Sequence, residues 1–167
     1  MGKITLYSEM LVSDYCNAKI LKDRVVCCID TTHPHLMHKL DWFLWAYMLF
    51  ELSLKKLAVF YKLNRNSRLH NSSGLFYDFF KMGLYGDGLI EFISDKLTSK
   101  GYFDIHQCIL EVHKMLALDF VSLRYNTKHL DTVNTFDFQV LRAFLDCVST
   151  LVLELETGKI SIELEVP

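Results

Sequence analysis

No stretch of this sequence is long and apolar enough to span a bilayer. The unbroken apolar run at residues 42–50 is nine residues long, and a spanning helix needs about 20. No membrane partner is expected. Cysteine is sparse and unpaired: Cys16, Cys27, Cys28, Cys108 and Cys147 are an odd set without paired metal spacing. The start lacks a basic region followed by an apolar run, so no signal peptide is expected. Reduced, mostly buried thiols in a cytoplasmic protein follow from that reading. Familiar catalytic signatures are missing too. There is no Gly-x-Ser-x-Gly elbow, no phosphate-cradling glycine loop and no HExxH pattern. Gly83, Gly86 and Gly88 have turn spacing, and their loop holds Asp87 rather than a lysine. A net charge of −2 implies no global steering of nucleic acid. Internal repeats and low-complexity segments are absent as well.

What is present is apolar bulk. The hydrophobic share of 51 % argues against disorder, and 167 residues make one domain, residues 1–167, with room for a real core. Charge is unevenly placed. Residues 1–83 carry 11 Lys and Arg against 7 Asp and Glu, and residues 84–167 carry 7 against 13. A mildly basic first half is compatible with a phosphate-bearing partner.

The chain is organised around residues 36–63, which read as one long helix. At about 100° per residue, Asp41, Glu51, Lys55 and Lys62 share one narrow sector. Trp42, Phe43, Trp45, Leu49, Phe50, Leu54, Leu57, Phe60 and Tyr61 spread over most of the rest. A helix apolar over so much of its circumference must be covered on several sides. It lies in the middle of a bundle or in a subunit interface. Trp42, Trp45, Tyr47 and Phe50 are accordingly both core candidates and candidates for a partner-facing surface.

The flanks predict a mixed fold. Residues 3–7 and 24–29 read as short strands, joined by a compact crossover or as a hairpin. Residues 159–166 alternate Ile160, Ile162, Leu164 and Val166 with Ser161, Glu163 and Glu165, which predicts a half-buried strand. Between them lie helices at 75–82, 89–97, 105–124 and from Asn134 or Thr135 to Glu156. Asp104 with Gln107 forms a capping box, and Gly101 and Gly158 fit helix ends. The expectation is an α+β fold, predominantly helical, with about five helices around the long central one and a small sheet from the N- and C-terminal strands.

Two constellations offer chemistry. Asp30, His33, His35, His38 and Asp41 form the densest ionisable cluster. Asp30, His33, His35 and His38 are the candidate metal ligands, since imidazole and carboxylate bind zinc when three or four converge. The cluster is loose and no cysteine pair supports it, so no metal or other cofactor is expected to be required. His106 and His113 lie seven apart on one helix, about 10 Å along its axis, too far to chelate one ion together.

The second constellation is Arg65-Asn66-Ser67-Arg68-Leu69-His70, a polar junction after the long helix. It resembles the Arg-polar-x-x-x-His motif of the HEPN superfamily, helical domains that include many metal-independent ribonucleases. The resemblance implies proton transfer by His70, phosphate contact by Arg65 and an accompanying role for Asn66, in a cleft between two protomers. Arginine forks onto phosphate oxygens, and histidine exchanges protons near neutral pH. Arg124 and His129 repeat the spacing, with Tyr125 departing at the polar position. The resemblance covers six residues, and the expected strands depart from an all-helical bundle.

Three readings compete: a small intracellular regulatory or inhibitory protein acting by protein–protein binding, a HEPN-like endoribonuclease acting on RNA, and a metal enzyme on the histidine cluster. The absence of a convergent catalytic set and the aromatic content favour the first, with a homodimer as one form of partnership. The composition is similar to that of a small viral or phage accessory protein.

Overall fold

The computed structural model describes residues 17–30, 39–61, 72–81, 87–125 and 130–161. Of these, 84 % are helical and none is in a strand. The helices are α1 (Ala18–Asp30), α2 (Lys39–Phe60), α3 (Ser72–Phe76) with a π-helical continuation (Tyr77–Lys81), α4 (Asp87–Ser99), α5 (Ile105–Leu116), α6 (Phe120–Tyr125), α7 (Leu130–Asn134) and α8 (Phe138–Glu156).

The small sheet is therefore a wrong expectation. The second predicted strand, residues 24–29, lies inside α1. Its Val and Ile content suggested a strand, but burial follows the helical repeat: Ala18, Leu21, Val25 and Cys28 are inside, while Val26 and Cys27 are exposed. Tertiary packing of that stripe overrides β propensity. Asn17 begins the helix, its side chain accepting from Ile20 N at 2.8 Å. At the other end, residues 159–161 form a bend after α8, where Ile160 N donates to Glu154 O at 3.2 Å. Residues 3–7 and 162–166 lie outside the described residues.

Two long helices, not one, form the centre. α2 packs against α1, α3, α6, α7 and α8, and α8 packs against α1, α2, α4 and α5. Trp42, Phe43, Phe50, Leu54 and Leu57 of α2 are fully buried, as are Leu141, Phe144, Val148 and Val152 of α8. Phe144 sits 5.4 Å from Phe80, 5.6 Å from Phe76 and 6.4 Å from Phe50, ring centre to ring centre. Phe76, Phe79 and Phe80 stand at i, i+3 and i+4, share one helical face and are all buried.

The predicted helix over 105–124 is broken at residues 117–119. Ile105, Ile109, Val112, Leu116 and Leu123 keep the helical period across the break, which is why the sequence reads as continuous. Asp119 restarts the chain as a cap, its carboxylate accepting from Val121 N at 3.0 Å. The Tyr47 hydroxyl donates to the carbonyls of Leu116 (3.1 Å) and Leu118 (3.4 Å) that the break leaves open. Elsewhere the predicted caps are present: Asp104 accepts from Gln107 N, and Gly101 and Gly158 take positive φ. α8 ends at Glu156 as expected and starts at an Asp137 cap, a few residues later than predicted.

Two polar residues of α8, Arg142 and Ser149, are buried. Arg142 lies over the Trp42 ring at 5.3 Å, and Ser149 joins a polar clamp along α8. In that clamp Lys22 of α1 is paired with Asp146 and donates to Thr150 Oγ1 at 2.9 Å. Lys100 reaches the other Asp146 oxygen at 2.6 Å, and Lys56 reaches Glu156 at 3.3 Å. The Glu156 carboxylate also accepts from Ala18 N, tying the start of α1 to the end of α8.

Phe144→Ala should cost about 3–5 kcal/mol, whereas Phe103→Ala, at a side chain that is 79 % exposed, should cost under about 0.5 kcal/mol. Urea melts of both variants check this contrast.

Burial by itself would raise the Asp146 carboxyl; hydrogen bonds from Lys100 and Lys22 override it and hold the group below the ordinary value of 3.8. A depressed carboxyl stabilises fully above its unfolded value and loses that contribution as pH falls through its folded value. Asp146→Asn should therefore cost about 1–3 kcal/mol near neutral pH, toward the lower end because Lys100 is partly solvated. The gap to the natural chain should close as pH falls below about 4, as followed by denaturation midpoints across pH.

Candidate functional site

Most of the predicted chemistry falls outside the described residues. That holds for Arg65, Asn66 and His70, for the metal candidates His33, His35 and His38, and for His129. Asp30 is exposed at the end of α1. Among the described residues no group of three or more His, Cys, Asp and Glu converges as a metal site. His106 is exposed. His113 packs in a seam, its ring 6.2 Å from both Phe76 and Tyr77. Arg124 is exposed and lies over the rings of Phe120 (5.5 Å) and Tyr125 (5.2 Å).

Of the four residues proposed for interaction, Trp42, Tyr47 and Phe50 are inside the chain, and Trp45 is half-buried. Trp42 donates its indole N–H to Cys28 O at 3.1 Å and stands edge-on to Phe138 at 5.1 Å. The thiols are equally committed. Burial pushes Cys28 up to about 12 and Cys147 up to about 11. Cys27 is exposed.

A cleft not foreseen from the sequence opens where α2, the start of α3 and the break before α6 meet. It encloses about 600 Å³ and is lined by Tyr47, Glu51, Ser72, Ser73, Val121 and the 116–120 turn. Tyr47 forms its inner wall, stacked on Phe120 at 4.9 Å. Burial pushes the Tyr47 phenol up to about 12. The Glu51 carboxylate adds to the rise, the Ser72 hydroxyl opposes it, and Asp119 adds again. Ser72 Oγ is thus near the phenol, yet it is buried and makes no hydrogen bond of normal geometry. Glu51 also pairs with Lys55 at 2.8 Å, the i,i+4 pair its spacing predicts.

The signal for this cleft was Asp119. An aspartate followed by an aromatic turn inside a helical period marks a restart, and a restart leaves carbonyls for a partner to collect. Ser72 carried no comparable signal.

Tyr47, Glu51 and Asp119 bring acceptors to the cleft, beside the Ser73 hydroxyl, which can donate as well as accept. The Tyr47 proton is spent on backbone carbonyls, and the two carboxylates accept only. Its walls, from Leu116, Leu118, Phe120 and Val121, are apolar. The volume falls within the range of about 300–1,000 Å³ usual for ligand pockets. No protein-family model, curated protein or solved structure matches the chain. No helix among the described residues is long and apolar enough to cross a membrane.

The Tyr47 phenol is raised from 10.0 to about 12. Its contribution to stability should be complete below pH 10 and lost as pH rises through about 12. Spectrophotometric titration should show a late step from Tyr47, with Tyr102 also raised by burial. Tyr47→Phe should remove that late step and cost about 1–2 kcal/mol, because two backbone carbonyls lose their donor.

Proposed function

We propose that this protein acts as a small regulatory or inhibitory factor in the cytoplasm by binding another protein. The contact runs along α6 and the mouth of the adjoining cleft. One observation carries this reading. Val121 is 58 % exposed and Tyr125 is 78 % exposed, one helical turn apart, with the Arg124 guanidinium over the Tyr125 ring. Tyrosine and arginine are the residues that most often anchor protein interfaces, and a rigid ring loses little freedom when covered. Val121 also lines the cleft, so the apolar edge and the acceptor-rich pocket are continuous.

The reading moves the contact away from α2. The apolar circumference of that helix is taken up by α1, α3, α6, α7 and α8.

A second reading keeps one specific support. The described residues are wholly helical apart from turns, as the HEPN resemblance implies. Under it Arg65, Asn66 and His70 act on RNA without metal. The charge of the cleft weighs against phosphate there, because Glu51 and Asp119 both face it.

The test is cross-linked capture from host lysate, with the natural chain beside Val121→Asp and Tyr125→Ala. One protein should be retained by the natural chain and lost, at least about tenfold, by both variants. Size-exclusion chromatography of the same three proteins shows whether that partner is a second copy. Capture unaffected by either change, together with His70-dependent cleavage of single-stranded RNA in chelator, would install the ribonuclease instead.

A further inference from the structure

We infer that the exposed edge of α6 recognises an acidic side chain of the bound protein, a carboxylate seated on Arg124 beside an apolar side chain that covers Val121. The inference deepens the protein-binding reading and rests on it. Its first support is the way Arg124 is held. The guanidinium lies over the Phe120 ring at 5.5 Å and over the Tyr125 ring at 5.2 Å, and it donates to the Tyr125 hydroxyl at 3.3 Å. Phe120 is itself fixed, packed against the core and stacked on Tyr47 at 4.9 Å. A guanidinium stacked in this way has already given up much of the freedom that an exposed ion pair normally costs.

The second support is the charge that Arg124 leaves unmatched. Lys22, Lys55, Lys56, Lys96 and Lys100 each reach an Asp or Glu. Arg124 is exposed, and among the described residues no carboxylate pairs with it. The rest of its planar fork is open to an acceptor, and the two oxygens of a carboxylate match that fork.

The setting selects the kind of acid. Val121 and Tyr125, 58 % and 78 % exposed, stand three residues before and one after Arg124, so apolar surface adjoins the cation. Covering that surface expels water from around the charge pair, which strengthens it. A phosphate backbone would need several cations in a row. The charged groups that line the adjoining cleft are Glu51 and Asp119, which repel a polyanion. One carboxylate within a helical turn of an apolar side chain meets these conditions.

The probe is a phage-displayed library of short random peptides, selected on the immobilised full chain, with Val121→Asp as the counter-selection. Recovered peptides should carry Asp or Glu within one helical turn of Leu, Ile, Val or Phe. The tightest one, made synthetically, should bind at least about tenfold better than its Asn or Gln counterpart. Arg124→Gln should weaken the acidic peptide by the same factor and leave the amide peptide unchanged, a coupling that a purely structural role for Arg124 would not produce. Arg124→Lys, which keeps the charge and loses the fork, should restore only part of the affinity. Recovery of no α6-dependent peptide, peptides without an acid, or equal loss of both peptides in Arg124→Gln overturns the inference. So does displacement of the peptide by a short oligouridylate whose binding depends on Arg124, which would assign the cation to phosphate. If the peptides fail while capture still depends on Val121 and Tyr125, the inference falls and the protein-binding reading stands. If capture does not depend on those residues, the reading falls and the inference with it.

Discussion

Everything in this fold leans on the seam between α2 and α8. Each helix is too apolar to stand at a surface, and each covers the other. The seam joins Trp42 and Phe50 on one side to Leu141, Phe144 and Val148 on the other, all fully buried. Area removed from water sets the driving force, at roughly 25 cal/mol for each square ångström. Shape then fixes the register, because close-packed rings tolerate little displacement. Phe144 meets rings from α2 and from the continuous stretch of α3 and its π-helical turn, so one side chain ties together two segments distant from it in sequence.

Polar groups along α8 convert that seam into a defined arrangement. Asp146 holds Lys22 and Lys100 at once, and Glu156 holds Lys56 and the first amide of α1. Hydrophobic burial has no preferred direction, whereas these bonds do. They fix α1 against the outer side of the pair and the chain after α4 against the middle of α8. Arg142 adds a cation over the Trp42 ring inside the same contact. The clamp stays partly exposed to water, so its main effect is orientation rather than large stabilisation.

Much of this was legible in the sequence. The long α2, the position of α8, the Asp104 cap and the glycine ends at 101 and 158 all follow from periodicity and local chemistry. Two classes of feature were not. Residues 24–29 carry β-branched side chains, and only their packing against α2 and α8 decides that the helical stripe through Leu21, Val25 and Cys28 wins. Arg142 and Ser149 look like solvent-facing positions until their partners Trp42 and Lys22 arrive from elsewhere in the chain. The cleft was hidden for the same reason. Tyr47, Ser72 and Asp119 are far apart in sequence and meet only because α2 carries α3 and α6 on the same side. Of its residues, Tyr47 was named from the sequence, but as part of an aromatic surface rather than as a pillar that closes a helix break.

That pillar links the core to the site. Tyr47 is anchored by burial and by two backbone carbonyls, so the wall it presents to the cleft is rigid before any ligand arrives. A preformed pocket with fixed acceptors loses little entropy on binding, which suits recognition. Catalysis by acid–base transfer needs the opposite tuning, a group brought close to neutral pH. The shifted groups at the core and cleft have moved away from it: Tyr47 and Cys28 to about 12, Cys147 to about 11, and Asp146 downward. Burial without a compensating charge does this to phenols and thiols. The same burial that makes Tyr47 a stable wall removes it as a proton carrier. Tyr47 therefore stays protonated through the neutral range and remains a fixed donor to the two carbonyls of the break.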